Sequence, residues 1–186
     1  GEFMPTPDLA LSVRKVSREG SLRIARAAFA HAATRPARHV TAVHKANVLK
    51  LGDGLFLDSC RAVAADYPQI RYDEVIVDAM AALLIRDPGA FDTIVTTNMF
   101  GDILSDQASE LSGSLGLAAS LNAGEHHAMA QAQHGSAPDI AGKDIANPAS
   151  LIGSAAMLLD WLGARHALPA LRASASAIET AIDAAL

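Results

Sequence analysis

Residues Thr93-Ile94-Val95-Thr96-Thr97 form a short apolar run rich in β-branched side chains. They lead without a spacer into Asn98-Met99-Phe100-Gly101-Asp102-Ile103-Leu104-Ser105-Asp106. The first run reads as a buried strand, and the second opens a helix that continues through Leu111. A buried strand feeding straight into a helix is the unit of sheets covered by helices on their faces. The rest of the chain repeats the alternation. Ser17 caps a helix that runs through Leu22, Ala25 and Phe29 to residue 34, where Arg35-Pro36 stops it. Residues 40–44 read as a strand, 53–66 as a helix ended by Tyr67-Pro68, 72–77 as a strand and 78–85 as a helix, with a turn at Asp87-Pro88-Gly89. Residues 113–124 are small and flexible in character and mark a lobe boundary. Residues 134–148 are a Gly/Pro-punctuated loop. A helix then starts near Pro148 and runs to Leu162, with Gly163 as its C-cap, and the Ala-rich end of the chain is helical. This alternation predicts an α/β fold.

Asp102 and Asp106 are four residues apart, so on a helix their carboxylates share one face. Like charges placed there repel unless a cation lies between them. A hard divalent cation with oxygen ligands, Mg²⁺ or Mn²⁺, fits that need. Two solvated acids on a surface helix are the ordinary meaning of such a spacing. The position of this pair, just past the carboxyl end of a strand, is where open α/β sheets bind ligands.

Composition narrows the classes. The 186 residues are 51% hydrophobic, enough for a core in one domain or two small lobes. The net charge of −5 is spread along the chain, which argues against nucleic acid or an anionic membrane as partner. Cys60 is the only cysteine, so no internal disulfide can form and a reducing, cytoplasmic setting is expected. No apolar run reaches the roughly 18 residues of a spanning helix, and no secretory leader is expected. Gly1-Glu2-Phe3 ahead of Met4 looks like a vector scar and is expected to lie outside the fold.

Four segments, in order and with matching spacing, carry a family resemblance. They are Val40-Thr41-Ala42-Val43-His44-Lys45-Ala46-Asn47-Val48-Leu49-Lys50; Val77-Asp78-Ala79-Met80; the Asp102/Asp106 run; and His134-Gly135-Ser136-Ala137-Pro138-Asp139-Ile140-Ala141-Gly142-Lys143 with Ile145-Ala146-Asn147-Pro148. The chain resembles the isocitrate/isopropylmalate dehydrogenases, metal-dependent enzymes that oxidise and decarboxylate 3-substituted malates. The resemblance runs from about residue 13 to 163. It implies an isopropylmalate-dehydrogenase-like α/β fold, incomplete here: a middle lobe for dimerisation and metal binding over residues 1–112, and part of the NAD-binding large lobe over residues 113–186.

The resemblance also implies roles. Lys45 matches the catalytic lysine that assists deprotonation of the substrate hydroxyl. Asn47 matches the residue between substrate and nicotinamide. Asp78, Asp102 and Asp106 match the carboxylates that hold Mg²⁺ or Mn²⁺. Lys45 and Asp78 would reach the active site of a neighbouring subunit, so a homodimer with shared sites is expected. In the loop, Asp139 matches the acid that binds the adenosine ribose hydroxyls and would repel a 2′-phosphate, which favours NAD. His134 and Asn147 match adenine contacts, with Gly135, Ser136 and Ala137 completing the cofactor loop. No GxGxxG run follows a strand, in keeping with a family that binds NAD by other means.

The chain also departs from the pattern. Ala130-Gln131-Ala132-Gln133 stands where the family usually has Phe-Glu-Pro before the His-Gly-Ser loop. The segments that would supply the substrate-gripping arginines, the general-acid tyrosine and the specificity loop have no counterpart in these residues. The chain therefore resembles a piece truncated at both ends, expected to be inactive alone. Two readings stay open: part of an oxidative decarboxylase, or a non-catalytic dimerising or regulatory module on the same scaffold. Among substrates, His44 and Gly54-Leu55-Phe56-Leu57 lean toward isocitrate or homoisocitrate, with 3-isopropylmalate and tartrate also open.

Overall fold

The strand His39–His44 (β3) is buried along its first five residues, so it must be covered on both faces and paired on both edges. A computed structural model covering residues 1–186 shows how this is met. β3 is the centre of a three-stranded parallel sheet. It pairs with Arg71–Ile76 (β4) on one side and Thr93–Thr96 (β5) on the other. Val40 and Ala42 face a core built from Ala25, Ala28, Phe29 and Ala32 of helix α1 (Arg18–Thr34), and Phe56, Leu57, Cys60 and Val63 of α2 (Gly52–Ala64). Val43 belongs to a second cluster, with Met80 and Leu84 of α3 (Val77–Arg86) and Leu104 of α4 (Asn98–Leu111). The sheet is thus covered by helices on both sides. His39 and Thr41 are polar yet buried. His39 Nε2 lies 2.9 Å from Asp73 Oδ2 and 3.2 Å from Thr41 Oγ1, so burial leaves the imidazole partnered.

Local signals set the helix ends. Ser17 is extended and its hydroxyl accepts the Gly20 N–H at 3.2 Å, capping α1 as the sequence predicts. The Arg35 N–H closes the other end on Ala32. The first residues behave differently from expectation. Glu2 and Phe3 pair with Ser12 and Leu11 in an antiparallel hairpin, Glu2–Thr6 (β1) with Leu9–Ser12 (β2). Every residue of that hairpin is exposed, so it joins the fold through backbone pairing and not through a core.

The chain divides into two units, Gly1–Gln107 and Ala108–Leu186, with the division inside α4 and ahead of residue 112. The second unit holds an antiparallel hairpin, Ala119–Ala123 (β6) with Ala128–Ala132 (β7), and helices α5 (Ala149–Arg165) and α6 (Pro169–Ala185). The strand β6 falls in the stretch 113–124 expected to be small and flexible, and β7 lies where no element was expected. Gly163 is not a C-cap but lies within α5, which ends at His166. A side chain there would meet Arg172 Cγ at 2.5 Å and the Leu168 carbonyl oxygen at 3.0 Å, so the glycine permits the close return of α6. No helix is long and apolar enough to cross a membrane.

Phe29 is fully buried and its ring lies 5.4 Å from Tyr67 and 5.8 Å from Tyr72 between centroids. Phe29→Ala is expected to destabilise the first unit by about 3–5 kcal/mol in urea denaturation. Burial pushes the Cys60 thiol up to about 12, helped by Glu74 and opposed by Arg61. Cys60 should therefore react with a thiol reagent only as fast as the protein unfolds; rapid labelling of the native chain would contradict this core.

Candidate functional site

The three parallel strands run the same way, so their carboxyl ends open onto one edge of the sheet. Lys45 follows β3, Asp78 lies in the first turn of the helix after β4, and Asp102 and Asp106 lie on the helix after β5. Lys45 Nζ donates a short hydrogen bond to Asp78 Oδ1. That bond, with the backbone N–H of Asp78 itself, holds the exposed Asp78 carboxyl below the usual carboxylate range. The Lys45 backbone N–H is fixed separately, donating to Asp53 Oδ2 at 2.6 Å. Asn47 is exposed in the turn closed by the Val48 and Leu49 N–H groups on the Lys45 carbonyl.

On α4, Asp102 and Asp106 are exposed one turn apart. The helix is held against the sheet and its neighbour by Leu104 in the second core cluster and by Gln107 Nε2, which donates to the Ala81 carbonyl at 2.6 Å. Within one chain no three His, Cys, Asp or Glu side chains converge as a metal site. Asp78 pairs with Lys45 instead of joining the α4 acids. Two accessible carboxylates suit a hard divalent cation, with the remaining oxygens coming from elsewhere. Beside this edge an open cleft of about 730 Å³ is lined by Arg14, Lys15, Asn98 and Met99 among others, and none of the candidate acids lines it.

The second unit carries the loop candidates. His134, Gly135, Ser136 and Ala137 are exposed between β7 and the short 3₁₀ turn Pro138–Ile140, and Asp139 is exposed within that turn. His134 Nδ1 lies 2.8 Å from the Gly135 carbonyl oxygen, and Ala137 is left-handed at φ 43°. Asn147 Oδ1 accepts the Ala149 N–H at 2.9 Å, so its carbonyl helps to start α5 while its amide nitrogen stays on an exposed residue. The departing segment 130–133 supplies most of the end of β7.

Two buried serines one turn apart on α5, Ser150 and Ser154, were not singled out from the sequence. Ser150 Oγ donates to the Ala118 carbonyl and accepts the Gln133 N–H at 3.3 Å. Ser154 Oγ accepts the Ser120 N–H at 2.9 Å and lies 2.8 Å from the Gln131 carbonyl oxygen. Both tie the hairpin to α5 immediately before the loop. Their spacing of four on a helix with few charges was the available signal. Arg14 and Asp53, described below, had no such signal.

Comparison with known proteins shows what the chain is similar to. A family model described as isocitrate/isopropylmalate dehydrogenase matches residues 3–186. A 3-isopropylmalate dehydrogenase of Archaeoglobus fulgidus is 53% identical over 156 residues, covering 84% of this chain and 48% of its own length. An isocitrate/homoisocitrate dehydrogenase of Thermus thermophilus is 49% identical over 179 residues, covering 96% of this chain and 52% of its own. The crystal structure of an isocitrate dehydrogenase from Methylococcus capsulatus superposes with a TM-score of 0.81 at 50% identity, over 84% of this chain and 46% of that one. The chain thus spans about half the length of the curated relatives it matches.

Ser154→Ala strands polar groups of the hairpin and is expected to destabilise the second unit by about 1–3 kcal/mol in thermal or urea unfolding. A pH dependence follows from β4. Burial alone would raise the Glu74 carboxyl, but the Arg61 guanidinium, bonded at 2.7 Å to each oxygen, and the Tyr72 hydroxyl at 2.9 Å outweigh it and hold the carboxyl low. Its stabilisation is therefore full at neutral pH and is lost as pH falls below about 4.3 and through the lower folded-state value. Glu74→Gln should flatten the acid side of the stability–pH profile; an unchanged profile would show that the cluster contributes nothing.

Proposed function

The chain belongs to the isocitrate/isopropylmalate dehydrogenase family, and we propose on that premise that it is the middle lobe and part of the large lobe of an NAD- and divalent-metal-dependent oxidative decarboxylase. The substrate is a 3-substituted malate, isocitrate or homoisocitrate ahead of 3-isopropylmalate or tartrate. The observation that carries this reading is the placement of Lys45, Asp78 and the Asp102/Asp106 pair after the carboxyl ends of three parallel strands, on one edge of the sheet.

Asp102 and Asp106 hold the cation from α4, and Asp78 of a second copy completes the set, which makes the working unit a homodimer with shared sites. When bound, Mg²⁺ or Mn²⁺ supplies Lewis-acid stabilisation to the oxygens of the hydroxy acid. Lys45 handles the hydroxyl proton at Nζ. Asn47, in the adjoining turn, orients the reacting carbon toward the nicotinamide. Asp139 accepts from the ribose hydroxyls of NAD. His134 and Asn147 flank the adenine, and the backbone of Gly135, Ser136 and Ala137 gives the loop its shape.

Mn²⁺ titration tests the metal assignment. Asp102→Asn should bind Mn²⁺ at least about tenfold more weakly than the unmodified chain; equal affinity would sink it. For the cofactor, Asp139→Ala should weaken NAD binding and narrow the preference for NAD over NADP. The 186-residue chain alone should not produce NADH from any of these acids, because its own residues near the acidic edge offer few cations to hold a di- or tricarboxylate, and orientation alone can account for roughly 7–11 kcal/mol of barrier reduction. Mn²⁺-dependent NADH production abolished by Lys45→Ala would overturn that last expectation.

A further inference from the structure

We infer that Arg14 and Asp53 form a positioning pair that locks the Lys45 turn to the first turn of α4, so that the lysine and the two α4 acids keep a fixed mutual geometry. This rests on the site assignment above. Asp53 has no exposed surface. Its Oδ2 accepts the Lys45 backbone N–H at 2.6 Å. Its Oδ1 lies 2.8 Å from Arg14 Nη2 but out of line for a hydrogen bond, so the tie is electrostatic. The same Nη2 donates to Thr97 Oγ1 at 2.7 Å, and the Arg14 guanidinium sits 5.1 Å above the Phe100 ring. Thr97 in turn accepts the Gly101 N–H at 2.9 Å, closing the first turn of α4. One guanidinium therefore touches both halves of the edge, the Lys45 turn through Asp53 and the acid-bearing helix through Thr97 and Phe100.

Burying the Asp53 carboxylate is an expensive way to fill space, and only its partner Arg14 keeps contact with solvent. What an arginine adds is a flat guanidinium that lies over the Phe100 ring while its Nη2 faces both Asp53 and Thr97, whereas an ammonium has no plane to stack. A pair that only neutralised the buried Asp53 charge would need the charge and not that plane. The two roles separate by experiment.

The test is amide exchange on the 186-residue chain, read at Lys45 and Gly101, with exposed Asp58→Asn as control. Arg14→Met should raise exchange at both amides by about tenfold. Arg14→Lys keeps a charge for Asp53 and should restore Lys45 protection and the thermal midpoint, while Gly101 stays fast. Mn²⁺ affinity should then remain reduced in Arg14→Lys despite restored stability. If Arg14→Met fails to fold, Asp53→Asn replaces it. The isosteric amide still accepts the Lys45 N–H, so Lys45 protection should survive and Gly101 protection should fall. Gly101 exchange unchanged in these variants, or fully restored by lysine, would overturn the inference and leave a purely structural ion pair. Absence of Mn²⁺ binding by the unmodified chain would fail the metal assignment alone, since the exchange comparison decides the coupling without it.

Discussion

Full burial of β3 is the constraint from which the first unit follows. A central parallel strand needs neighbours on both edges to pair its backbone and helices on both faces to exclude water. β4 and β5 meet the first need, and α1 and α2 on one face and α3 and α4 on the other meet the second. Parallel pairing then fixes something no single segment contains: all three strands finish at the same edge. The residues after each finish, Lys45, Asp78 and the α4 acids, lie along that one edge because the strands are parallel, although they come from distant parts of the chain.

The elements of this unit were legible because their signals are local. A β-branched run next to a helix start, a serine cap, and Arg35-Pro36 as a stop each act over a few residues. The hairpin β6–β7 was not legible, because Ala119-Ser120-Leu121-Asn122-Ala123 and its partner strand are made mostly of residues with weak strand preference. It forms against α5, whose Ser150 and Ser154 hydroxyls bond the hairpin backbone and whose Gly153 lets Ala119 approach closely, a tertiary cause. Gly163 shows the same limit. A glycine near a helix end suggests a cap, and only the approach of Arg172 shows that its role is clearance.

For the candidate site, the residues proposed to bear the chemistry could be picked out from spacing and resemblance, but their pairings could not. Lys45 and Asp78 were each identifiable; that they face one another within one chain is a property of the β3–β4 register. Arg14 and Asp53 carry no motif, and their connection exists only after the sheet has formed. Charged residues that act through others are the hardest class to find in a sequence, because each looks like ordinary surface charge until its partners are placed.

The left-handed Ala137 in the loop of the second unit has a consequence of its own. Glycine would take this conformation freely, whereas alanine accepts about 1 kcal/mol of strain in the folded loop. In exchange the backbone of an alanine visits fewer conformations than that of a glycine, so less disorder remains to be removed when a ligand arrives. The loop thus carries its conformational cost at folding, before any encounter. In the cofactor role proposed for this loop, a dinucleotide would meet a shape that already exists instead of one that must be gathered around it.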